Sequence, residues 1–514
     1  MFNKIKSRTE LAKMNMITKK CSVIICILLI FNVASYAQQK PFMDYLLRWD
    51  GQSSTVAIEL KYEVGTVDST VFIFGDPSFG GQKDIFSVVK NIRVNKPEVL
   101  KIDNSKRQIT IYHNGAKRHK IYYDIDGSFN IDKPTTTSQT ELFRPVVTKG
   151  ILTLVNKQFA LDVTNESNPL VSFSWHNIPK HFTYFNSIEP SQKNPKNKLT
   201  AYFNNLSQKI YFVVGDHIEV KEYNVMEVTY YSVTTTLDKY GNKLQDDLRP
   251  FFDSYIPSIH RFWNDTDFPF YFLVVTALQN NYKEIGAGGF GIKNGFVMKL
   301  GRKFGEREKY VTAHETAHSW IGIKMMLGED SFDHQWFGEG FNDYTTIINL
   351  ANSKIFGKED FLAYLNDETL RLHYQSKIKG VHNDSIAAKY WTDYANYGVL
   401  PYKRGLIYAF YLDNQIRLAS NGKFTLRNML LDLFQLRKDK LADEILTVED
   451  FVNVSSRYLD RTEVEEQVKR HMIEGEPIDF SKIKLIPEFT IEINNDIPKV
   501  NLSAQADLSQ IYQW

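Results

Sequence analysis

The sequence predicts a multidomain α+β protein, with an N-terminal β-sandwich or saddle, a mixed α/β middle part and a C-terminal α-helical domain. Three observations carry that expectation. Apolar and polar residues alternate with period two up to about residue 233. A buried-strand run and a glycine-rich stretch follow, and beyond Ser353 the apolar period becomes helical. The chain of 514 residues is also too long for one ordinary domain.

Residues 1–37 read as a secretory signal peptide. Lys4, Lys6, Arg8, Lys13, Lys19 and Lys20 precede an apolar run from Cys21 to Val33, which ends in Ala34-Ser-Tyr-Ala37. The run is shorter than the ~20 residues a membrane helix needs, so no stable membrane span is expected after cleavage. Removing this segment takes six Lys/Arg and one Glu from totals of 62 and 60, leaving a mature net charge of −3. Such a near-neutral balance gives no footprint for nucleic acid. Both cysteines, Cys21 and Cys26, fall inside the signal, so the mature chain can form neither a disulfide nor a cysteine metal site. An exported protein of the bacterial periplasm or exterior fits this pattern.

Residues 38–233 form the expected β domain. In "TVAIELKYE", Val56, Ile58, Leu60 and Tyr62 alternate with polar partners, and Ile109 and Ile111 repeat the habit in "RQITIY". The polar stretches Asp132–Thr140 and Glu189–Lys198 read as surface loops. Residues 234–355 are expected to form the middle domain, which holds the buried-strand run Pro269–Leu278 and the glycine-rich run Gly286–Gly295. Residues 356–485 form the helical domain. An Asn421-Gly422 stop closes one helix, Thr425 opens the next, and Thr447 and Thr462 open two more, the last ending near Gly475 and Pro477. Residues 486–514 read as a short tail with one plausible strand, "FTIEI".

The chemistry concentrates in "VTAHETAHSW", Val311–Trp320. On a helix, His314 and His318 share a face at their spacing of four, within reach of one metal ion. Glu315 lies on the shoulder beside them, where a carboxylate can take a proton from a metal-activated water. A catalytic zinc site needs a third protein ligand. Downstream, "DHQWFGEGFNDY" offers Glu339 on a second apolar-periodic stretch and His334 in a polar loop, where a histidine reads as a surface residue. Asp343 follows Glu339 by four and is placed to accept a hydrogen bond from a ligand histidine.

These blocks resemble the gluzincin metallopeptidases, in which an H-E-x-x-H helix is followed by a glutamate in a Trp-x-x-Glu-Gly-Phe setting. The twenty residues between His318 and Glu339, and His-Ser-Trp directly after the motif, are most similar to the glycyl-aminopeptidase family. "YGVLPYKRGLIYAFYLDNQIR", Tyr397–Arg417, is similar to that clan's Tyr-x-Lys-Gly helix start, with Arg404 in place of lysine. The resemblance implies a thermolysin-like catalytic domain holding one Zn²⁺ per chain, bound by His314, His318 and Glu339. It further implies Glu315 as general base, Tyr402 as oxyanion donor and Tyr397 near the substrate, with a peptide or protein as that substrate.

The chain departs from the family at one informative place. Relatives carry a glutamate after a glycine pair on an edge strand, and it binds the substrate's α-amine. Here Gly288 and Gly289 are followed by Phe290 and Gly291, so the anchor is missing. Glu284, Glu306 and Glu308 are near in sequence but outside the motif. Glycines there still let a peptide backbone approach and add as a strand. A PDZ module like that family's is not expected after Ile486. The resulting expectation is a zinc peptidase, aminopeptidase or endopeptidase. Its rival is a non-catalytic envelope binding protein on a decayed peptidase fold.

Overall fold

The structure is a computed structural model that describes residues 42–63, 68–74, 85–113, 115, 118–127, 144–163, 169–202, 209–238, 240–277, 287–301, 303–328, 332–390, 392–441 and 444–514. The signal-peptide segment 1–37, the polar stretch Asp132–Thr140 and Glu284 lie outside the described residues.

Period-two patterning builds the N-terminal layers. The strands begin with β1 (Phe42–Arg48), β2 (Thr55–Glu63), β3 (Ser69–Phe74), β4 (Val89–Val94), β5 (Val99–Asp103), β6 (Gln108–Tyr112) and β7 (His119–Asp126). They continue with β8 (Val146–Thr148), β9 (Ile151–Val155), β10 (Leu161–Val163), β11 (Leu170–His176), β12 (Thr183–Asn186), β13 (Leu199–Tyr202) and β14 (Tyr211–Gly215). A six-stranded sheet, β13-β11-β1-β2-β7-β4, packs with two four-stranded sheets, β10-β3-β6-β5 and β12-β14-β9-β8. Val56, Ile58, Leu60 and Tyr62 of β2 are buried in one core with Ile109 and Ile111 of β6, as alternation requires. Buried tyrosines stitch this core, Tyr45 donating to the Leu161 carbonyl at 3.0 Å and Tyr123 to that of Phe159 at 2.6 Å.

Five further strands form a mixed sheet: β15 (Ile218–Val225), β16 (Val228–Thr235), β17 (Tyr271–Ala277), β18 (Ala287–Ile292) and β19 (Gly295–Leu300). Their order is β15-β16-β17-β19-β18, with β18 an antiparallel edge. The expected boundary at residue 233 falls inside this sheet. β15 and β16 alternate like the strands before them but pair onward, β16 running parallel to β17. Periodicity reports that a segment is a strand; it does not report which sheet takes it. One face of the sheet (Tyr231, Val233, Phe272, Val274, Val297) packs on the β core, and the other (Tyr230, Leu273, Val275, Met298, Leu300) on the helices. Burial on both faces explains the unbroken apolar run in β17.

The helices that frame the site are α1 (Glu306–Ala317), α2 (Asn342–Asn352) and α3 (Leu400–Ala419). α3 ends where expected, with Asn421 and Gly422 both at positive φ, 53° and 79°. Thr425 caps α4 (Leu426–Asp439) and Thr447 caps α5 (Val448–Ser455). Thr462 does not open the following helix. Asp460 does, its side chain accepting from the Glu463 amide at 3.1 Å, so the helix begins at Arg461.

The C-terminal segment is more ordered than its reading as a tail. β20 (Phe489–Asn494) matches the expected strand and pairs with β21 (Ile497–Leu502), whose Pro498 masks it in sequence. Asn366 clamps β21 by bonding both the amide and the carbonyl of Val500 at 2.8 Å. Among the described residues no helix is long and apolar enough to cross a membrane.

Candidate metal centre

α1 is started by Glu308, whose carboxylate accepts from the Gly305 amide at 3.0 Å, and it buries Ala313 and Ala317 in the helical core. His314 stands in its last turn. His318 closes the helix, its amide donating to the His314 carbonyl at 3.1 Å. Their side chains meet as the spacing predicts, with the two Nε2 atoms 2.9 Å apart.

Glu339 arrives from a π-helical turn, Trp336–Phe341, that leads directly into α2. Its Oε2 lies 3.3 Å from each of the two Nε2 atoms. This oxygen is buried and makes no well-aligned hydrogen bond. Three donor atoms therefore form a triangle with edges of 2.9, 3.3 and 3.3 Å. Bonds of ~2.0–2.1 Å in tetrahedral geometry put donors about 3.3 Å apart, so the set fits a zinc ion.

The outer nitrogens explain why Nε2 faces inward. His314 Nδ1–H donates to Asp343 Oδ1 at 2.6 Å, the role its spacing predicted. Tyr310 donates a further hydrogen bond to the same oxygen, and the Asn342 side chain bonds the His314 carbonyl at 2.9 Å. His318 Nδ1–H donates to the Ile321 carbonyl at 3.0 Å. In the neutral ring each of these contacts selects the tautomer that leaves Nε2 bare, the form that binds a cation.

The electrostatics agree. Burial alone would push His314 down, but Asp343 and Glu339 outweigh it and hold its pKa well above the usual imidazole value. His318 is likewise raised, Glu339 overcoming burial. Burial opposes ionisation of Glu339, yet His318 and His314 hold its carboxyl well below the usual range. The same negative surroundings that favour a proton on these rings favour a cation between them.

Glu315 is half-buried and turned toward β18. A β-carbon built on Gly291 would lie 3.8 Å from Glu315 Oε2, and no other group would come within 4 Å of it. Gly291 therefore leaves open space in front of the carboxylate. Gly289, on the same face, is filled by packing, since a β-carbon there would meet Phe296 and the Val297 carbonyl at 2.4 Å. Gly288 lies on the same edge strand, opposite Lys299. Tyr402, in the first turn of α3, stacks its ring 6.0 Å from that of His314. Burial, then Glu339, Tyr394 and Tyr390, push its pKa well above the ordinary phenol value, so it remains a proton donor.

Other sequence candidates have contacts of their own. His334 packs against Gly328, and Tyr397 receives a 3.1 Å hydrogen bond from Lys389. Glu306 pairs with Lys309 at the exposed start of α1. Arg404 is buried and donates to the Lys379 and Val381 carbonyls at 3.1 and 2.9 Å, holding a loop. Sequence reasoning passed over Tyr310, Asn342, Tyr390 and Tyr394, because nothing in their local pattern distinguishes them from core aromatics and amides.

Among solved structures, the chain is similar to that of an aminopeptidase N family protein from Idiomarina loihiensis. The identity is 14% and the TM-score 0.65, over 83% of this chain and 75% of that one. No protein-family model matches the chain, and no curated protein matches it. The likeness is one of fold: a multidomain, peptidase-like arrangement with a β-rich N-terminal region and a helical C-terminal region.

Proposed function

We propose that the chain is a gluzincin-type zinc peptidase that cleaves peptide bonds without strictly requiring a free substrate N-terminus. The observation that carries this reading is the triangle of His314 Nε2, His318 Nε2 and Glu339 Oε2, with every outer contact arranged to aim those atoms at one point. When bound, zinc would polarise the scissile carbonyl and acidify a water. Glu315 accepts the proton of the attacking water at its carboxylate and passes it to the leaving amine nitrogen. Tyr402 donates its hydroxyl hydrogen to the carbonyl oxygen as negative charge develops there. Asp343 takes no part in proton transfer; it keeps His314 oriented and basic.

A peptide adding along β18 would lie in front of Gly291, which offers it no side chain. An α-amine buried there finds no carboxylate on the strand, so an N-blocked peptide is not penalised relative to a free one. The test is Glu315→Gln assayed on free and N-blocked peptides, with metal content measured in parallel. The variant should lose at least ~10²-fold in kcat while keeping the wild-type metal content. Full activity of the variant would remove Glu315 as base, and wild-type turnover confined to free N-termini would sink the substrate reading.

A further inference from the structure

We propose a second metal site, a structural one for a divalent first-row ion such as zinc, formed in the β domain by Glu98, His113 and His119. The three residues offer one donor atom each, all within 4.8 Å of one another, far from the sequence blocks of the first centre. His119 opens β7 in the six-stranded sheet. His113 directly follows β6, and Glu98 directly precedes β5, both in the four-stranded sheet that faces it. An ion held by this set ties the two sheets together at one end of the sandwich.

The cluster is built and buried. The side chains of His113 and His119 are each 2% exposed and that of Glu98 10%. The imidazoles stack with centroids 3.6 Å apart and planes 26° from parallel. His119 Nδ1 is hydrogen-bonded to Glu98 Oε1. His113 Nδ1 lies 3.7 Å from the same oxygen, buried and with no hydrogen-bond partner. On the far side, His113 Nε2 is 2.6 Å from Thr70 Oγ1, an orienting contact of the kind that fixes a ligand imidazole. The Tyr62 ring covers both imidazoles, 5.2 Å from His119 and 6.0 Å from His113.

A single carboxylate oxygen cannot satisfy both Nδ1 atoms well: it bonds that of His119 and stands 3.7 Å from that of His113. A cation taking the lone pairs of both nitrogens and of the carboxylate meets all three at once, each neutral ring then carrying its one proton on Nε2. Two imidazoles and one carboxylate form a donor set of borderline hardness, which suits zinc and its first-row neighbours better than calcium or magnesium. The burial of the set gives a substrate no entry. The role is therefore stabilisation.

The experiment counts zinc bound after chelator stripping and reloading with zinc alone, in a two-by-two design. One axis removes the first centre with His314→Ala plus His318→Ala. The other removes the second with Glu98→Gln or, separately, His113→Ala, each chosen only if its far-UV circular dichroism matches wild type. The His314/His318 double variant should still hold about one zinc per chain and show a higher unfolding temperature with zinc than without. Adding Glu98→Gln should weaken that binding by at least 100-fold and abolish the shift. A double variant that binds no zinc, or a Glu98→Gln change that leaves its zinc content intact, overturns the proposal. The fate of the first centre is read separately, from the difference between wild type and the double variant.

Discussion

Gly340 and Gly405 touch backbone to backbone. A β-carbon on Gly405 would lie 1.9 Å from the Trp336 carbonyl oxygen and 2.8 Å from Gly340 Cα, and one on Gly340 would lie 2.3 Å from Gly405 Cα. This contact seats the turn that carries Glu339 directly on α3, three residues beyond Tyr402. Only a pair of glycines lets the turn carrying Glu339 and the helix carrying Tyr402, the proposed metal ligand and oxyanion donor, approach so closely.

Gly405→Ala should therefore act on stability and turnover together. Overpacking costs ~1–3 kcal/mol, and any shift that relieves it moves Glu339 relative to Tyr402. Thermal unfolding should fall by several degrees, with a loss of at least ~10-fold in kcat/KM. A variant with wild-type unfolding temperature and rate would show that the two helices can part without consequence.

Asp343 offers a test of what holds His314, a proposed ligand, in place. Asp343→Asn keeps the shape but removes the charge that raises the His314 pKa, and it weakens the 2.6 Å bond to Nδ1. Zinc affinity, measured by chelator competition, should drop ~10–100-fold, with activity recovering at high zinc. Unchanged affinity would mean that the histidine is held by its helix alone.

Gly291→Glu asks whether the missing anchor explains substrate choice. The position opens toward Glu315 with no other group within 4 Å of an added β-carbon, so substitution there meets no clash at Cβ. A carboxylate there gives a buried α-amine its partner, an interaction of about 1.5–3 kcal/mol. The ratio of rates on free and N-blocked peptides should rise by roughly 10-fold or more. A ratio that stays flat would place the substrate's N-terminal end away from β18.

How much of this was legible follows from distance along the chain. His314, Glu315 and His318 are fixed by one helix, and Glu339 and Asp343 by the next, so their spacing spoke directly. Tyr62 and Ile109 are buried as strand alternation requires, a signal that is local. The fate of β15 and β16 and the Tyr310 contact to Asp343 depend on partners tens of residues away. Gly340 and Gly405 look like punctuation until their helices meet. Glu98, His113 and His119 follow no helical or hairpin ligand spacing; only the facing of two sheets brings them together.

Lys299 offers a test of the sheet that joins the two cores. It lies on β19 on the same face as Val297, 2% exposed, and donates to the Arg144 carbonyl at 2.7 Å. Burial lowers its pKa to about 7 in the folded chain. The unfolded value is about 10.4, so between those values the unfolded chain binds a proton that the folded chain lacks. Unfolding free energy from this residue therefore rises with pH across that window, and the penalty for burying the charge is fully present below about pH 7. Lys299→Met removes the penalty and its pH dependence, at the expense of the Arg144 hydrogen bond. Its stability relative to wild type, read from urea midpoints, should be greatest near pH 6 and decline steadily toward pH 10. The decline should total on the order of a few kcal/mol. Parallel midpoints across that range would show that Lys299 keeps an ordinary pKa and that water reaches the sheet interface.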